Sequence, residues 1–314
     1  IFNLLFVFNL LVLWRICDMV KRLFLFMTVN ILIIVTISIV LNLLGIRGYM
    51  TAYGIDYTAL AVFCLIWGMI GAIISLFLSK FIAKIMLNVK VIDPNTTNPE
   101  LRELLQTVSR LAQGAGIGMP EVGIYPSPEV NAFATGPTKN NALVAVSEGL
   151  VRRMNKSEIE GVLGHEIAHI ANGDMVTMTL IQGIINAFVM FLSRVLAFFI
   201  SSALSKDREG RSSPFLHIGL IILFEILFGI LGMIVVAYFS RIREYAADKG
   251  GARLAGTNKM IAALEALKRT YELVDNSHQS LATLKINGGK SKFLALFATH
   301  PSLDDRIARL KNYL

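Results

Sequence analysis

His165, Glu166 and His169, in the run His165-Glu166-Ile167-Ala168-His169, are residue types at a spacing suited to metal chemistry. On an α-helix, positions i and i+4 share a face, so both imidazoles reach one ion. Glu166 is turned by about 100° from His165, which brings its carboxylate to the water that completes the coordination sphere. Zinc lowers the pKa of such a water from about 15.7 towards about 7, and the neighbouring carboxylate accepts its proton as it attacks a carbonyl. The competing reading is a helix with two histidines on one face and an ordinary exposed glutamate. With only five histidines in the chain, coincidence is the poorer explanation.

A hydrolytic zinc takes three protein ligands and keeps one position open. Glu244, in Ser240-Arg241-Ile242-Arg243-Glu244-Tyr245-Ala246-Ala247-Asp248, is the candidate for the third. Asp248, one turn later, is placed to accept from the second nitrogen of a ligating histidine and fix its tautomer. Spacing leaves equally open a surface pair that balances Arg241, Arg243 and Lys249. His217 starts an apolar segment and reads as interfacial, and His278 lies in a polar stretch and reads as solvated. His300, in Thr299-His300-Pro301-Ser302, is a loop histidine, a ligand or a donor to a developing oxyanion, and spacing does not choose. Cys17 and Cys64 have no metal-type spacing, so His and carboxylate must hold any metal.

These groups sit in a chain too apolar for an ordinary globular domain: 54% of its 314 residues are hydrophobic and 17% charged. The net charge of +8 comes from Lys and Arg clustered at the ends of apolar segments. That pattern suits anionic lipid and topology signals and argues against nucleic acid. Four stretches, 23–44, 57–78, 178–200 and 215–239, match the roughly 20 residues needed to cross a bilayer. The third contains Gln182, Asn186 and Arg194 and the fourth Glu225, so these two face protein or water over part of their length. For Arg194 and Glu225, helix packing is preferred over a part in substrate entry.

Met19, followed by Lys21 and Arg22, reads as a natural start, which makes residues 1–18 a doubtful upstream leader, an interfacial segment being the alternative. Lys21, Arg22, Lys80, Lys84 and Lys90 flank the first pair of spans, and the loop between them has only Arg47, so both ends of that hairpin are expected in the cytoplasm. The expected organisation is an N-terminal transmembrane hairpin (19–80), a second hairpin (178–239), and one cytoplasmic catalytic domain assembled from 81–177 and 240–314. The fold class is a mainly α integral membrane protein whose α+β cytoplasmic domain carries a small β-sheet.

Within that domain, Asn98-Pro99-Glu100 starts a helix, and Gly114-Ala115-Gly116-Ile117-Gly118 stops it. Strands are expected at 122–125, 130–134 and 143–146, separated by Pro126-Ser127-Pro128 and Gly136-Pro137 turns. Ser157 and Glu160 form a capping box for the helix of His165. Further helices are expected at 258–273 and 302–310.

Several blocks carry a wider likeness: Val130-Asn131-Ala132-Phe133-Ala134-Thr135-Gly136, the His165 to His169 motif followed by Asn172-Gly173-Asp174-Met175, the 240–248 run, Lys259-Met260-Ile261-Ala262-Ala263-Leu264, and Thr299-His300-Pro301. Together they resemble the membrane-bound M48 zinc metallopeptidases. The resemblance implies a zincin-like domain with one zinc per chain held by His165, His169 and Glu244, Asp248 behind a ligand, Glu166 as base and His300 as transition-state donor. It also implies that Asn131 positions an extended substrate along the strand of Ala132 and Phe133, an ordinary edge strand being the alternative. Membrane-protein substrates, misfolded or damaged, and a bacterial inner membrane follow from the resemblance alone. A site-two-type intramembrane protease is disfavoured because Lys156, Glu158, Glu160 and Asp174 surround the motif and place it beside water. A structural-zinc protein would have no use for Glu166.

Overall fold

The computed structural model describes residues 24, 27–29, 31–45, 48–51, 54–204, 214–277 and 296–312. The 1–18 leader, Lys21, Arg22, Arg47 and His278 lie outside the described residues. Three helices are long and apolar enough to cross a membrane: α2 (Tyr57–Met86), α6 (Asp174–Leu204) and α7 (Pro214–Ala255). Before them comes the shorter apolar helix α1 (Met27–Leu43), and a two-strand hairpin, β1 (Met50–Thr51) with β2 (Gly54–Ile55), joins α1 to α2. Large apolar side chains such as Ile222, Ile226, Leu227 and Leu231 point outward from α7, as expected where lipid is the solvent. Helices α2 and α6 cross closely at Gly68, where a Cβ would lie 2.5 Å from the Gly183 carbonyl oxygen. Small residues are what permit such an approach.

All three helices outrun the apolar stretches that mark them in the sequence. Helix α7 continues from its apolar half through Glu244 and Asp248 to Ala255 without a break. A change of solvent from lipid to water does not interrupt a backbone ladder, which is satisfied within the helix in both.

The polar part is built on a four-stranded sheet in the order β3 (Lys90–Val91), β4 (Glu121–Tyr125), β6 (Asn141–Ser147), β5 (Ala132–Thr138). Strands β4 and β6 are parallel, and the other pairs antiparallel. The central strand β6 reads as a continuous apolar run, Ala142 to Val146, because both its faces are covered. Strand β5 differs from expectation: it begins at Ala132 and runs through Gly136-Pro137, and the chain reverses at Lys139-Asn140. The register slips between Thr135 and Thr138, a bulge that absorbs the proline on an edge strand. Gly136 has φ 146°, and a Cβ there would sit 2.3 Å from the Asn141 carbonyl oxygen.

Against this sheet pack α3 (Pro99–Gly114), capped by Asn98, and α5 (Lys156–Asn172), with α4 (Glu148–Arg153) leading in. Leu104, Val108 and Leu111 of α3 join Leu163, Ile167 and Ile170 of α5 and Val144 and Val146 of β6 in one core. The cap of α5 is Asn155 with Glu158, not Ser157 with Glu160: the Asn155 side chain accepts from the Glu158 amide at 3.0 Å, and the Glu158 carboxylate accepts from the Asn155 amide at 2.9 Å. Asn155 is extended and Ser157 is already helical, so the helix starts two residues earlier than the serine pattern implies. Helices α8 (Thr257–Ser277) and α9 (Leu303–Lys311) close the structure, with Ile307 and Leu310 packed on Met260, Ile261 and Leu264.

Candidate metal centre

Helix α5 is held in the core by Leu163, Ile167 and Ile170, all fully buried, and its opposite face presents His165 and His169 to α7. The two Nε2 atoms are 3.1 Å apart. Glu244 Oε2 lies 3.5 Å from His165 Nε2, and Glu244 Oε1 lies 3.3 Å from His169 Nε2. Around an ion bound at about 2.0–2.1 Å, the edge of a tetrahedron measures about 3.3–3.4 Å. The three separations match that edge.

The far side of each ring settles the protonation pattern. His165 Nδ1 faces Asp248 Oδ1 at 3.0 Å, and His169 Nδ1 faces Asp174 Oδ2 at 2.5 Å. A carboxylate only accepts, so each Nδ1 carries the proton and each Nε2 presents a lone pair. Two lone pairs and the Glu244 carboxylate then converge on one point with no proton between them. Such an arrangement is repulsive without a cation, so the donor set fits a divalent metal ion.

Arg306, buried on α9, donates from Nε to Asp248 Oδ2 at 2.8 Å and from Nη2 to Oδ1 at 2.6 Å, and its Nη1 lies 3.2 Å from Glu244 Oε2. This two-pronged contact fixes Asp248 and ties the last helix to the site. The guanidinium is held more basic than usual: burial works against its charge, but Asp248, Glu244 and Glu166 outweigh it. His165 is likewise held more basic than usual: burial works against its charge, but the neighbouring Asp248 and Glu244 carboxylates outweigh it. Asp174 is anchored from the other side by an ion pair with Arg243.

Residues 98–314 match the sequence profile of peptidase family M48. The chain belongs to this family. Over 302 residues it is 50% identical to the Protease HtpX homolog of Bacillus subtilis (strain 168), covering 93% of this chain and 99% of the relative. It is 49% identical over 298 residues to the Protease HtpX homolog of Methylacidiphilum infernorum (isolate V4), with the same coverage. The crystal structure of S. mikatae Ste24p superimposes with a TM-score of 0.64 at 18% identity, covering 94% of this chain and 66% of that one, a likeness that speaks for the fold alone. The M48 chain is thus a metalloprotease, and its long apolar helices make it a membrane protein.

The other residues expected at the site of this M48 peptidase lie on α5, on the loop before α9 and on or just ahead of β5. Glu166 is half-buried beside His165 on α5, and its charge is felt by Arg306 and by Tyr125. His300 has an exposed ring (66%) with Nδ1 3.0 Å from Glu244 Oε2, and its loop is strapped to α7 by Arg241, which donates to the carbonyls of Leu296 and Ala298 at 3.1 and 2.7 Å. Ala132 and Phe133 pair with Val146 and Ala145, and Asn131, exposed just ahead of β5, donates its amide to Ser147 Oγ and accepts from the Ser147 amide. Strand β5 packs against both α5 and α6. His217 lies apart, 3.1 Å from Ser201 Oγ.

Sequence reasoning missed Asp174 and Arg306. Asp174 follows a glycine at a helix junction and looks like an N-terminal acid, and Arg306 follows two aspartates and looks like part of a solvated face. The charges around the motif also have a different meaning from the one expected. Lys156 is 82% exposed, but Glu158 and Asp174 are only 6% and 8% exposed and are internally paired. They mark a polar network inside the protein, not contact with water.

Proposed function

We propose that the protein is a zinc endopeptidase that cleaves misfolded or damaged membrane proteins at the cytoplasmic face of a bacterial inner membrane, with one zinc per chain. The observation that carries this reading is the convergence of two carboxylate-backed imidazoles and Glu244 on one point. His165, His169 and Glu244 hold the ion, and Asp248 and Asp174 keep both imidazoles in the tautomer that ligates. Zinc, when bound, supplies a Lewis acid that acidifies water and polarises the scissile carbonyl. Glu166 accepts the proton of the attacking water and returns it to the leaving amine. His300 donates to the oxyanion as it forms. Arg306 keeps Asp248 and Glu244 in register.

An extended substrate adds to the edge of β5, with Asn131, Ala132 and Phe133 along its path. In this reading the domain is zincin-like, formed from 81–177 and 240–314, and α1 is part of a fourth span that completes the 19–80 hairpin opposite the 178–239 hairpin. Accessibility of a tag placed in the 205–213 segment, from outside the cell only, tests that orientation.

The central test uses purified full-length protein in detergent. Glu166→Ala is expected to retain one zinc by elemental analysis and to lose about 10²- to 10⁴-fold in cleavage of an unfolded polypeptide. Equal cleavage by both proteins would sink the assignment.

A further inference from the structure

A cavity of about 970 Å³ lies between α2, α6 and α7, with Ile33 of α1 at its margin. Along α6 it extends from Met175 to Arg194, about 28 Å of helix and close to the hydrocarbon thickness of a bilayer of about 30 Å. Its α2 wall has small side chains at Gly71, Ala72, Ser75 and Ser79, which leave room for a polypeptide backbone between Trp67 and Leu76. Its α6 and α7 walls carry Thr179, Gln182, Asn186 and the Arg194–Glu225 pair set among methionines and Val189. Gln182 Nε2 donates to Asn186 Oδ1 at 2.8 Å, and Arg194 Nη1 donates to Glu225 Oε1 at 2.8 Å. Arg194 Nε and Ser79 Oγ are buried and have no hydrogen-bond partner among the described residues. One end of the cavity is Thr135, in the strand β5 that packs on the helix of His165 and Glu166.

Polar side chains at membrane depth are costly unless they face protein or a cavity that uses them. An acyl chain would gain nothing from two amides and an ion pair. A polypeptide segment gains from both walls, and on leaving the cavity at Thr135 it meets the edge strand and the metal cluster. We propose that this cavity receives a transmembrane segment of the substrate and selects segments that carry a hydrogen-bonding side chain in the bilayer interior. The proposal rests on the endopeptidase reading and adds how its substrates are recognised. In an intact membrane protein such a side chain is hidden against its own helices. In a damaged one it is turned towards lipid, where transfer into an amide-lined cavity is favourable.

The test uses full-length Glu166→Ala protein, with Cys17 and Cys64 replaced by alanine, in bilayer discs of phosphatidylethanolamine and phosphatidylglycerol. A cysteine is placed in the cavity (Thr179→Cys) or on the lipid-facing side of α7 (Ile222→Cys). The probe is a single-span protein with one cysteine and either Asn or Leu at mid-span. Disulfide yield is expected to be about tenfold higher at the cavity than at Ile222 for the Asn probe, and clearly lower for the Leu probe, in line with the worth of one or two hydrogen bonds in a bilayer. Equal yields at the two positions, or for the two probes, would overturn the proposal. With Glu166 restored, the Asn probe is expected to be cleaved with kcat/KM about tenfold above the Leu probe, a ratio that Gln182→Leu with Asn186→Leu brings close to one through KM. An unchanged ratio would equally overturn it. Disulfide formation requires no hydrolysis, so the two failures are distinguishable: selective capture without cleavage of any substrate would refute the peptidase reading, and cleavage without selective capture would overturn the proposed recognition.

Discussion

His165 and His169 are legible in the sequence because their relation is local: four residues on one helix fix both rings on one face. Glu244 is legible only as a candidate, since its place depends on how α7 packs against α5. Asp174 and Arg306 are not legible at all. Each is defined by what it meets in three dimensions, a histidine ring for one and a carboxylate on another helix for the other. Asp174 carries a prediction at this scale. Asp174→Asn keeps the size of the side chain but permits the wrong imidazole tautomer, so zinc affinity should fall by about 10- to 100-fold in a chelator competition. An unchanged affinity would mean that His169 is oriented without it.

At the scale of elements, helix starts were readable where one capping pattern stood alone, as at Asn98 and Ser302. At α5 two patterns overlap, Asn155 with Glu158 and Ser157 with Glu160, and the backbone, extended at Asn155 and helical from Lys156, chooses between them. Asn155→Ala should therefore cost about 1 kcal/mol in thermal or denaturant unfolding, and Ser157→Ala much less. The strand at Gly136-Pro137 was misread for a related reason, since a bulge and a turn favour the same residues. Glu160, freed from capping, instead accepts from Lys259 at 2.7 Å and pairs with Arg110 at 2.8 Å. Burial raises its pKa, but these two cations outweigh it and hold the carboxyl below its usual range. A lowered folded pKa gives stability that is present above the unfolded value of about 4.3 and lost as pH falls through the folded one. Metal-free protein should accordingly show a falling unfolding midpoint below about pH 4.5, and Glu160→Gln should flatten that fall. Identical acid profiles for the two proteins would remove this ion pair from the account.

At the scale of the whole molecule, composition announced a membrane, and hydropathy found the long helices. What it missed was continuity: the sequence suggests a span that ends and a site that begins, and the structure has one rod, α7, doing both. That rod is a lever. From Leu227, in its apolar half, to Glu244 is about 25 Å, so a change in tilt of about 5° would carry the carboxylate about 2 Å sideways. His165 and His169 would stay behind, because α5 is anchored in the sheet core. Helices tilt to match the thickness of the bilayer around them. Zinc affinity, measured in discs of phosphatidylcholine with acyl chains from 14 to 22 carbons, should pass through a maximum at one chain length. A flat response would show that the packing of the polar domain holds α7 against the lipid. A maximum would make the thickness of the surrounding membrane a mechanical input to catalysis, and a cell that remodels its lipids under stress would then be adjusting this enzyme without touching it.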